Sequence, residues 1–583
     1  MPELSNFTSL AFEWKQMSQS LFDPARQWLQ GRDFAVGDAL RQQGVTAKHP
    51  VIIVPGVVST GLESWSTSPE YRSYFRKRLW GTTTMIRAVL TERDKWIKAL
   101  SLDPITGLDP SPDIKVRPAQ GIDAASTFVP GYWIWTKAIE NLAAINYDSN
   151  NLMLAAYDWR LSYYNMEVRD GFFSRLKLSI EHFKKRDGKT VLVGHSMGAT
   201  VVFVGIFDCP IYLCLTDSSL KWVEAEGFGD GGPRWVEDHI EAPKAMTAFM
   251  SGEMKDTVEM NPAGTYVLEK FFSRRERASL FRGWAGSASL WMKGGDVIWG
   301  NATHAPDDLP NMNHTYGHFF SFRALSSSLH PSASNLTSTR AAEYILEHVP
   351  ETWQKMLYSN YSNGIEKDEG KLKENGKDFR KWTNPLEIQL PNAPSMKMYC
   401  VYGHGKDTER SYWYARGPYH RLKGSPVDTA GAVCLNDTDC TPGLQGGLRG
   451  IDLRPPLDLP LARESWIDRV VNIDNEQAKV RMGVRIGEGD GTVSLISLGG
   501  MCVEGWKRKK WNPGGIHVKT IELSHRPEDF DLRGGATTGD HIDILGSRGL
   551  NEILLKVAAG YGNEIEDSFV SDIRRYAERI QWD

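Results

Sequence analysis

The chain has 583 residues, and 68 Lys and Arg against 72 Asp and Glu leave a formal charge of −4. A balance this close to neutral provides no broad basic field for a phosphate backbone and excludes nucleic acid as a first partner. With 41% hydrophobic and 24% charged residues the chain is ordinary globular material, neither disordered nor collagen-like.

No run of the ~18 apolar residues needed to span a bilayer occurs, and MPELSNFTSLAFEWKQMSQS lacks the basic start and apolar stretch of a secretory signal. Taken alone, these features predict a soluble, untargeted chain without a membrane anchor. Against that stand six Asn-X-Ser/Thr sequons, at Asn6, Asn301, Asn313, Asn335, Asn360 and Asn436, a mild excess of the kind a lumenal protein carries. Six cysteines include the close pair Cys434 and Cys440 in a polar loop, and no Cys/His spacing resembles a zinc site.

Residues 1–48 are polar and weakly helical, with no apolar face long enough for a core. His49–Gly56 is a β-branched run ended by Pro-Gly, the pattern of a strand buried on both faces of a parallel sheet. Asn151–Tyr157 and Thr190–Val193 repeat it. Between them Asp170–Lys185 carries Phe172, Leu176, Ile180 and Phe183 at helical spacing, which predicts a βαβ unit.

Further strands are expected at Met396–Tyr402 and Ile516–Leu523, and a helix at Leu550–Ala558. Residues 245–395 alternate helical pieces with Gly, Pro and sequon-bearing loops, and are expected to lie over a sheet as an insertion rather than join one. Residues 404–480 are loop-rich and weakly patterned. The organisation predicted is a polar segment 1–48, a first core part 49–244, the insertion 245–395, and a second core part 396–583 that includes the loop 404–480.

Val193-Gly194-His195-Ser196-Met197-Gly198 fits Gly-x-Ser-x-Gly directly after an apolar strand, and Ala199–Phe203 begins a helix. Glycines on both sides allow a tight strand-to-helix turn that lifts the Ser196 hydroxyl clear of the sheet, while the helix start offers free N–H groups to a developing oxyanion. A serine needs a base and an orienting carboxylate, placed later in the chain in the order Ser, acid, His. Asp490, in Gly-Glu-Gly-Asp-Gly-Thr-Val, is the candidate acid; His525 and His541 compete as the base, and spacing alone does not separate them.

HPVIIVPGVVSTGLESW, FRKRLWG, GYWIW, YDWR, SGEMKDT, EGDGTV and DHIDILG occur in that order. On these segments nearly the whole chain after about residue 34 resembles the lecithin–cholesterol acyltransferase family. The resemblance implies an α/β-hydrolase fold with a mostly parallel central sheet and a lid or cap insertion. It implies Ser196 as nucleophile, Asp490 as acid and His541 as base, with the backbone N–H groups of Val57 and Met197 as oxyanion donors.

Ser251–Asn261 corresponds to the mobile lid, centred on Ser251, Gly252, Glu253, Met254, Lys255 and Asp256. Cys400 and Cys502 match the partners of a family disulfide, and the other family disulfide has neither cysteine here. Trp133 and Trp135 read either as core or as a lipid-facing aromatic surface. The reaction implied is acyl transfer from a phospholipid to diacylglycerol through a serine acyl-enzyme, at a membrane surface on the lumenal side of the endoplasmic reticulum, without metal, nucleotide or other cofactor. Rival readings are a phospholipase or lipase with water as acceptor, and a catalytically impaired lipid-binding or partner-binding member.

Two stretches depart from the family pattern. Gly205–Leu220 brings Asp208, Pro210 and two cysteines into the helix behind the nucleophile, and the chain at 242/243 is shorter than the pattern where an apolar strand belongs. Together they predict a sheet lacking a strand beside the nucleophile strand, and a transcript that differs from this sequence by a retained intron and a skipped coding segment.

Overall fold

The four β-branched residues Val51-Ile52-Ile53-Val54 form strand β1 (Val51–Val54), buried along its whole length. The computed structural model describes residues 34–129, 131–207, 233–235, 272, 274–310, 312–324, 335–347, 349–416, 465–467, 471–474, 478–529, 531 and 533–583. In chain order the strands that position the site are β1, β2 (Leu152–Leu154), β3 (Val191–Gly194), β4 (Pro233–Trp235), β5 (Phe320–Ala324), β6 (Lys397–His404), β7 (Lys406–Arg416), β8 (Ser465–Ile467), β9 (Val480–Arg481), β10 (Val484–Gly489) and β11 (His517–Ser524).

Six of them make one sheet in the order β11-β6-β4-β3-β1-β2, and every pairing in it is parallel. Side chains alternate across such a sheet, and the burial follows. Ile52, Val54, Leu192 and Met398 enter one apolar cluster, while Val51, Ile53, Val191, Val193 and Val401 enter another on the opposite face. Both faces are covered by helices, which explains why the strands read as continuous apolar runs.

The helices that matter here are α1 (Ala35–Gln42), α2 (Thr136–Ala144), α3 (Phe172–Asp187), α4 (Met197–Phe207), α5 (Leu495–Val503) and α6 (Arg548–Ala558). Phe172, Phe173, Leu176, Ile180 and Phe183 of α3 pack with Val201–Val204 of α4 on the first face. Leu40 of α1, Leu142 of α2 and Leu550, Leu554 and Leu555 of α6 pack on the second. The polar opening segment therefore does contribute to the core, through Leu40 and Val45.

The strand predicted to be missing beside the nucleophile strand is present in shortened form. β4 aligns Arg234 and Trp235 with Leu192 and Val193 of β3, and all three of its residues with Lys397–Tyr399 of β6. A strand this short is enough to occupy the slot and pair ladder groups of both neighbours, whose separation otherwise would be two strand spacings. Helix α4 remains helical through Phe207, and residues 208–220 lie outside the described residues.

The stretch 404–480 is not a plain loop. Its first part is β7, an eleven-residue strand, and β8 and β9 also fall in it or at its end. β7 pairs antiparallel with β10 and β8 and parallel with β5. Because β5 lies within 245–395, that region joins a sheet rather than only covering one. The strand escapes a hydrophobic-pattern reading because its centre, Thr408-Glu409-Arg410-Ser411, is polar yet buried. Arg410 is held by both oxygens of Asp307, at 2.7 and 2.8 Å, which makes burial of a charge tolerable.

Cys400 of β6 and Cys502 of α5 are joined by a disulfide, with Cα atoms 6.4 Å apart. The bond ties β6, next to the edge strand of the parallel sheet, to the helix that follows the candidate acid. Peptide mapping without reductant is expected to recover these two cysteines linked; with the bond reduced, denaturant unfolding is expected to show a loss of about 2–5 kcal/mol. Two free thiols, or unchanged stability on reduction, would contradict this.

Candidate active site

Strand β3 ends at Gly194 and α4 starts at Met197, leaving His195 and Ser196 to make the whole turn. Ser196 adopts φ +54°, a left-handed conformation that a non-glycine residue holds only under constraint. A Cβ on Gly194 would lie 2.6 Å from the Ala199 Cα, and one on Gly198 would press on the Val54 and Pro55 carbonyls. Both flanking glycines are therefore required by close backbone approach.

His541 Nε2 lies 3.0 Å from Ser196 Oγ, and His541 Nδ1 lies 2.7 Å from Asp490 Oδ2. The carboxylate accepts the Nδ1 proton, which leaves the Nε2 lone pair facing the serine hydroxyl. Asp490 is fully buried, and its second oxygen accepts the N–H groups of Thr492 (2.9 Å) and Val493 (2.7 Å). Asp490, the candidate acid, sits at the end of β10 and His541, the candidate base, on the turn before α6, so the three groups come from strands and turns far apart in sequence.

His525, the competing base, is not in this chain of hydrogen bonds. Its Nδ1 accepts the N–H of Gly539 at 3.2 Å, and burial lowers its pKa. Among the described residues the N–H groups of Val57 and Met197 make no hydrogen bond, and the loop carrying Val57 lies against the serine: a Cβ on Gly56 would be 3.0 Å from Ser196 Cβ. The lid residues 251–256 lie outside the described residues, as do Cys209, Cys214, Cys434 and Cys440. Among the described residues no group of three or more His, Cys, Asp or Glu stands in metal-ligand geometry.

Several further residues support this arrangement. His195 Nε2 donates to the backbone carbonyl of His541 at 2.7 Å, and burial together with the nearby His541 pushes the His195 pKa down to about 3. His195 is thus a neutral donor at any working pH. Trp135 is fully buried with its ring edge-on to His195, and Trp133 packs under the Arg533 guanidinium at 3.6 Å, so Trp135 is core and Trp133 is half-buried.

The Tyr-Asp-Trp-Arg segment serves two structures by alternation. Tyr157 and Trp159 donate to the carbonyls of Pro55 (2.7 Å) and Thr60 (3.0 Å), fixing both ends of the Val57 loop. Asp158 is buried and paired with Arg160 and Arg169, each at 2.7 Å. Burial by itself would raise the Asp158 pKa; the two guanidiniums outweigh it and hold the carboxyl well below its usual range. This stabilisation is present above the unfolded value of about 3.9 and is lost as the pH falls toward the folded one. Asp158→Asn is expected to lower stability by about 3–5 kcal/mol, because the buried Arg160 guanidinium loses its carboxylate, while Arg169 keeps Asp170 and Asp109. Urea unfolding at neutral pH measures it, and a change under 1 kcal/mol would contradict the assignment.

Residues 74–441 match the family described as Lecithin:cholesterol acyltransferase, and the chain belongs to that family. Ser196 falls within the matched span, and Asp490 and His541 lie beyond it. The chain is 41% identical over 573 residues to the phospholipid:diacylglycerol acyltransferase of Schizosaccharomyces pombe, covering 96% of this chain and 80% of the relative. It is 38% identical over 570 residues to the enzyme of the same name from Saccharomyces cerevisiae, covering 94% and 76%. Against the putative phospholipid:diacylglycerol acyltransferase 2 of Arabidopsis thaliana the identity is 32% over 641 residues, covering 93% and 88%.

Proposed function

We propose that this chain is an O-acyltransferase that moves an acyl group from a phospholipid to the free hydroxyl of diacylglycerol, giving triacylglycerol and a lysophospholipid. The observation that carries it is the hydrogen-bonded series Ser196–His541–Asp490 on a strand-to-helix turn, in a chain 41% identical to a relative of that name. The parallel sheet with helices on both faces and the nucleophile at a strand end supports an α/β-hydrolase fold; a lid or cap within residues 245–395 is assigned from the family resemblance.

In the first half-reaction Ser196 Oγ attacks the ester carbonyl as His541 Nε2 takes its proton. The oxyanion forms toward the N–H groups of Val57 and Met197. His541 returns the proton to the departing glycerol oxygen, releasing lysophospholipid and leaving the acyl group on Ser196. In the second half-reaction His541 takes the proton of the diacylglycerol hydroxyl, whose oxygen attacks the acyl-enzyme, and the serine leaves reprotonated. Transfer prevails over hydrolysis when water is kept from the acyl-enzyme, the role proposed for the lid around 251–256.

The substrates place the reaction at a membrane surface. No helix among the described residues is long and apolar enough to cross a membrane; the sequons and the Cys400–Cys502 disulfide support the lumenal side of the endoplasmic reticulum. Acyl-labelled phospholipid supplied with and without diacylglycerol tests the reading. Labelled triacylglycerol that appears only with the acceptor is expected; label released solely as free fatty acid would make the chain a phospholipase, and no turnover would make it a non-catalytic member.

A further inference from the structure

His541 sits on a turn whose fixation depends on a residue outside the nucleophile, acid and base. The carboxylate of Asp540, the preceding residue, accepts the N–H groups of Ile542 (2.9 Å) and Asp543 (3.0 Å) through Oδ1. Its Oδ2 accepts Lys406 Nζ at 2.7 Å. Lys406 begins β7, where its backbone is opposite Gly489 and bridges to Asp490 itself. One lysine is thus built into the backbone ladder beside the acid and reaches with its ammonium to the turn bearing the base.

We propose that Lys406, acting through Asp540, is a positioning residue that sets the His541 imidazole between Asp490 and Ser196. This rests on the acyl-transfer reading of the site. The pair is largely sheltered, with side-chain exposures of 26% for Lys406 and 20% for Asp540, so its geometry is not that of a mobile surface ion pair. The same turn is also held by the Asp540 N–H on Thr538 Oγ1 (3.2 Å) and the Arg533–Asp543 pair, and His541 itself by its N–H to the Asp490 carbonyl (3.0 Å) and its carbonyl to His195.

The charges around Asp540 give the arrangement a pH signature. Lys406 faces it as a cation; Asp543 faces it as a second carboxyl, itself paired with Arg533. His525 and His195 also feel its charge, and His541 is its neighbour in the chain. Burial would raise the Asp540 pKa, but Lys406 together with the N–H groups of Asp543 and Ile542 outweighs it and holds the carboxyl below its usual value. Burial, offset in part by Arg533 and reinforced by Asp540, pushes Asp543 up to about 6. Without the ammonium, two sheltered carboxyls remain together and proton uptake by the pair moves to higher pH.

The test compares wild type, Lys406→Met, Lys406→Arg and Asp540→Asn in the full chain. Phospholipid-to-diacylglycerol transfer is followed from pH 5 to 9, with melting temperature measured alongside. Lys406→Met is expected to lower kcat roughly 10- to 100-fold with KM nearly unchanged, and to move the acidic limb of the pH profile upward. Lys406→Arg should restore most of the rate. Asp540→Asn should lower kcat without the upward shift, since the shifted carboxyl is gone. A Lys406→Met enzyme with wild-type kcat and pH profile overturns the proposal. So does a loss that arginine does not rescue and that follows the melting temperature. Should Lys406→Met not fold, Asp540→Asn decides alone: wild-type kcat overturns the proposal and a reduced kcat at unchanged KM supports it. A wild-type chain that transfers nothing overturns the acyl-transfer reading instead, a result separable from all of these.

Discussion

Ser196→Ala is expected to lower acyl transfer by roughly 10⁴- to 10⁶-fold and to abolish covalent labelling by a fluorophosphonate. The substitution removes only the oxygen that lies 3.0 Å from His541 Nε2. Alanine retains the Cβ and so must still adopt the φ of +54° at this turn. Because the strain is unchanged and no partner is left buried with an unmet charge, the melting temperature should stay within a few degrees of wild type. Rate loss without stability loss is the signature of a group that acts on substrate. A variant that retained more than about a hundredth of the rate would leave the strand-to-helix turn as a structural feature only.

Asp490→Asn is expected to cost about 10⁴-fold in kcat while leaving the fold intact. The reason lies in which atoms the side chain must satisfy. One carboxylate oxygen accepts from Thr492 and Val493, and the other from His541 Nδ1. An asparagine keeps its single oxygen on the two backbone N–H groups and turns its NH₂ toward the imidazole. His541 then accepts at Nδ1 and carries its proton on Nε2, where it faces Ser196 as a donor and cannot take the hydroxyl proton. The measurement is kcat and KM for transfer together with the fluorophosphonate labelling rate, which should fall in parallel with kcat. An asparagine variant within tenfold of wild type would mean that Asp490 does not orient the base.

The parts of the molecule legible from sequence are those where one physical requirement dominates. Val51–Val54, Val191–Gly194 and Lys397–His404 are buried on both faces, so their apolar runs announce themselves. The turn at Ser196 is legible because close approach admits only glycine on either side of it. The candidate base is harder: spacing leaves His525 and His541 open beyond β11, the family resemblance selects His541, and the folded chain shows His525 bonding Gly539 while His541 reaches the serine. Strand β7 was hidden by its own chemistry. Glu409, Arg410 and Ser411 look like a solvated loop until Asp307, a hundred-odd positions earlier, supplies the partner that lets Arg410 be buried. The Lys406–Asp540 link is of the same kind, two ordinary charges whose pairing across 134 positions is a property of the fold. The short strand β4 shows the reverse error, since a slot in a sheet needs far fewer residues than the pattern of relatives leads one to expect.

Between donor and acceptor the acyl group is expected to reside on Ser196. The direct measurement is an acid quench of the full chain after brief exposure to acyl-labelled phospholipid without diacylglycerol, followed by peptide mass analysis, with a second sample chased with diacylglycerol before quenching. An acyl ester on the peptide containing Ser196, lost in the chase with matching gain of labelled triacylglycerol, is the predicted result. Labelled triacylglycerol formed while Ser196 stays unmodified throughout, or formed equally well by Ser196→Ala, would contradict it.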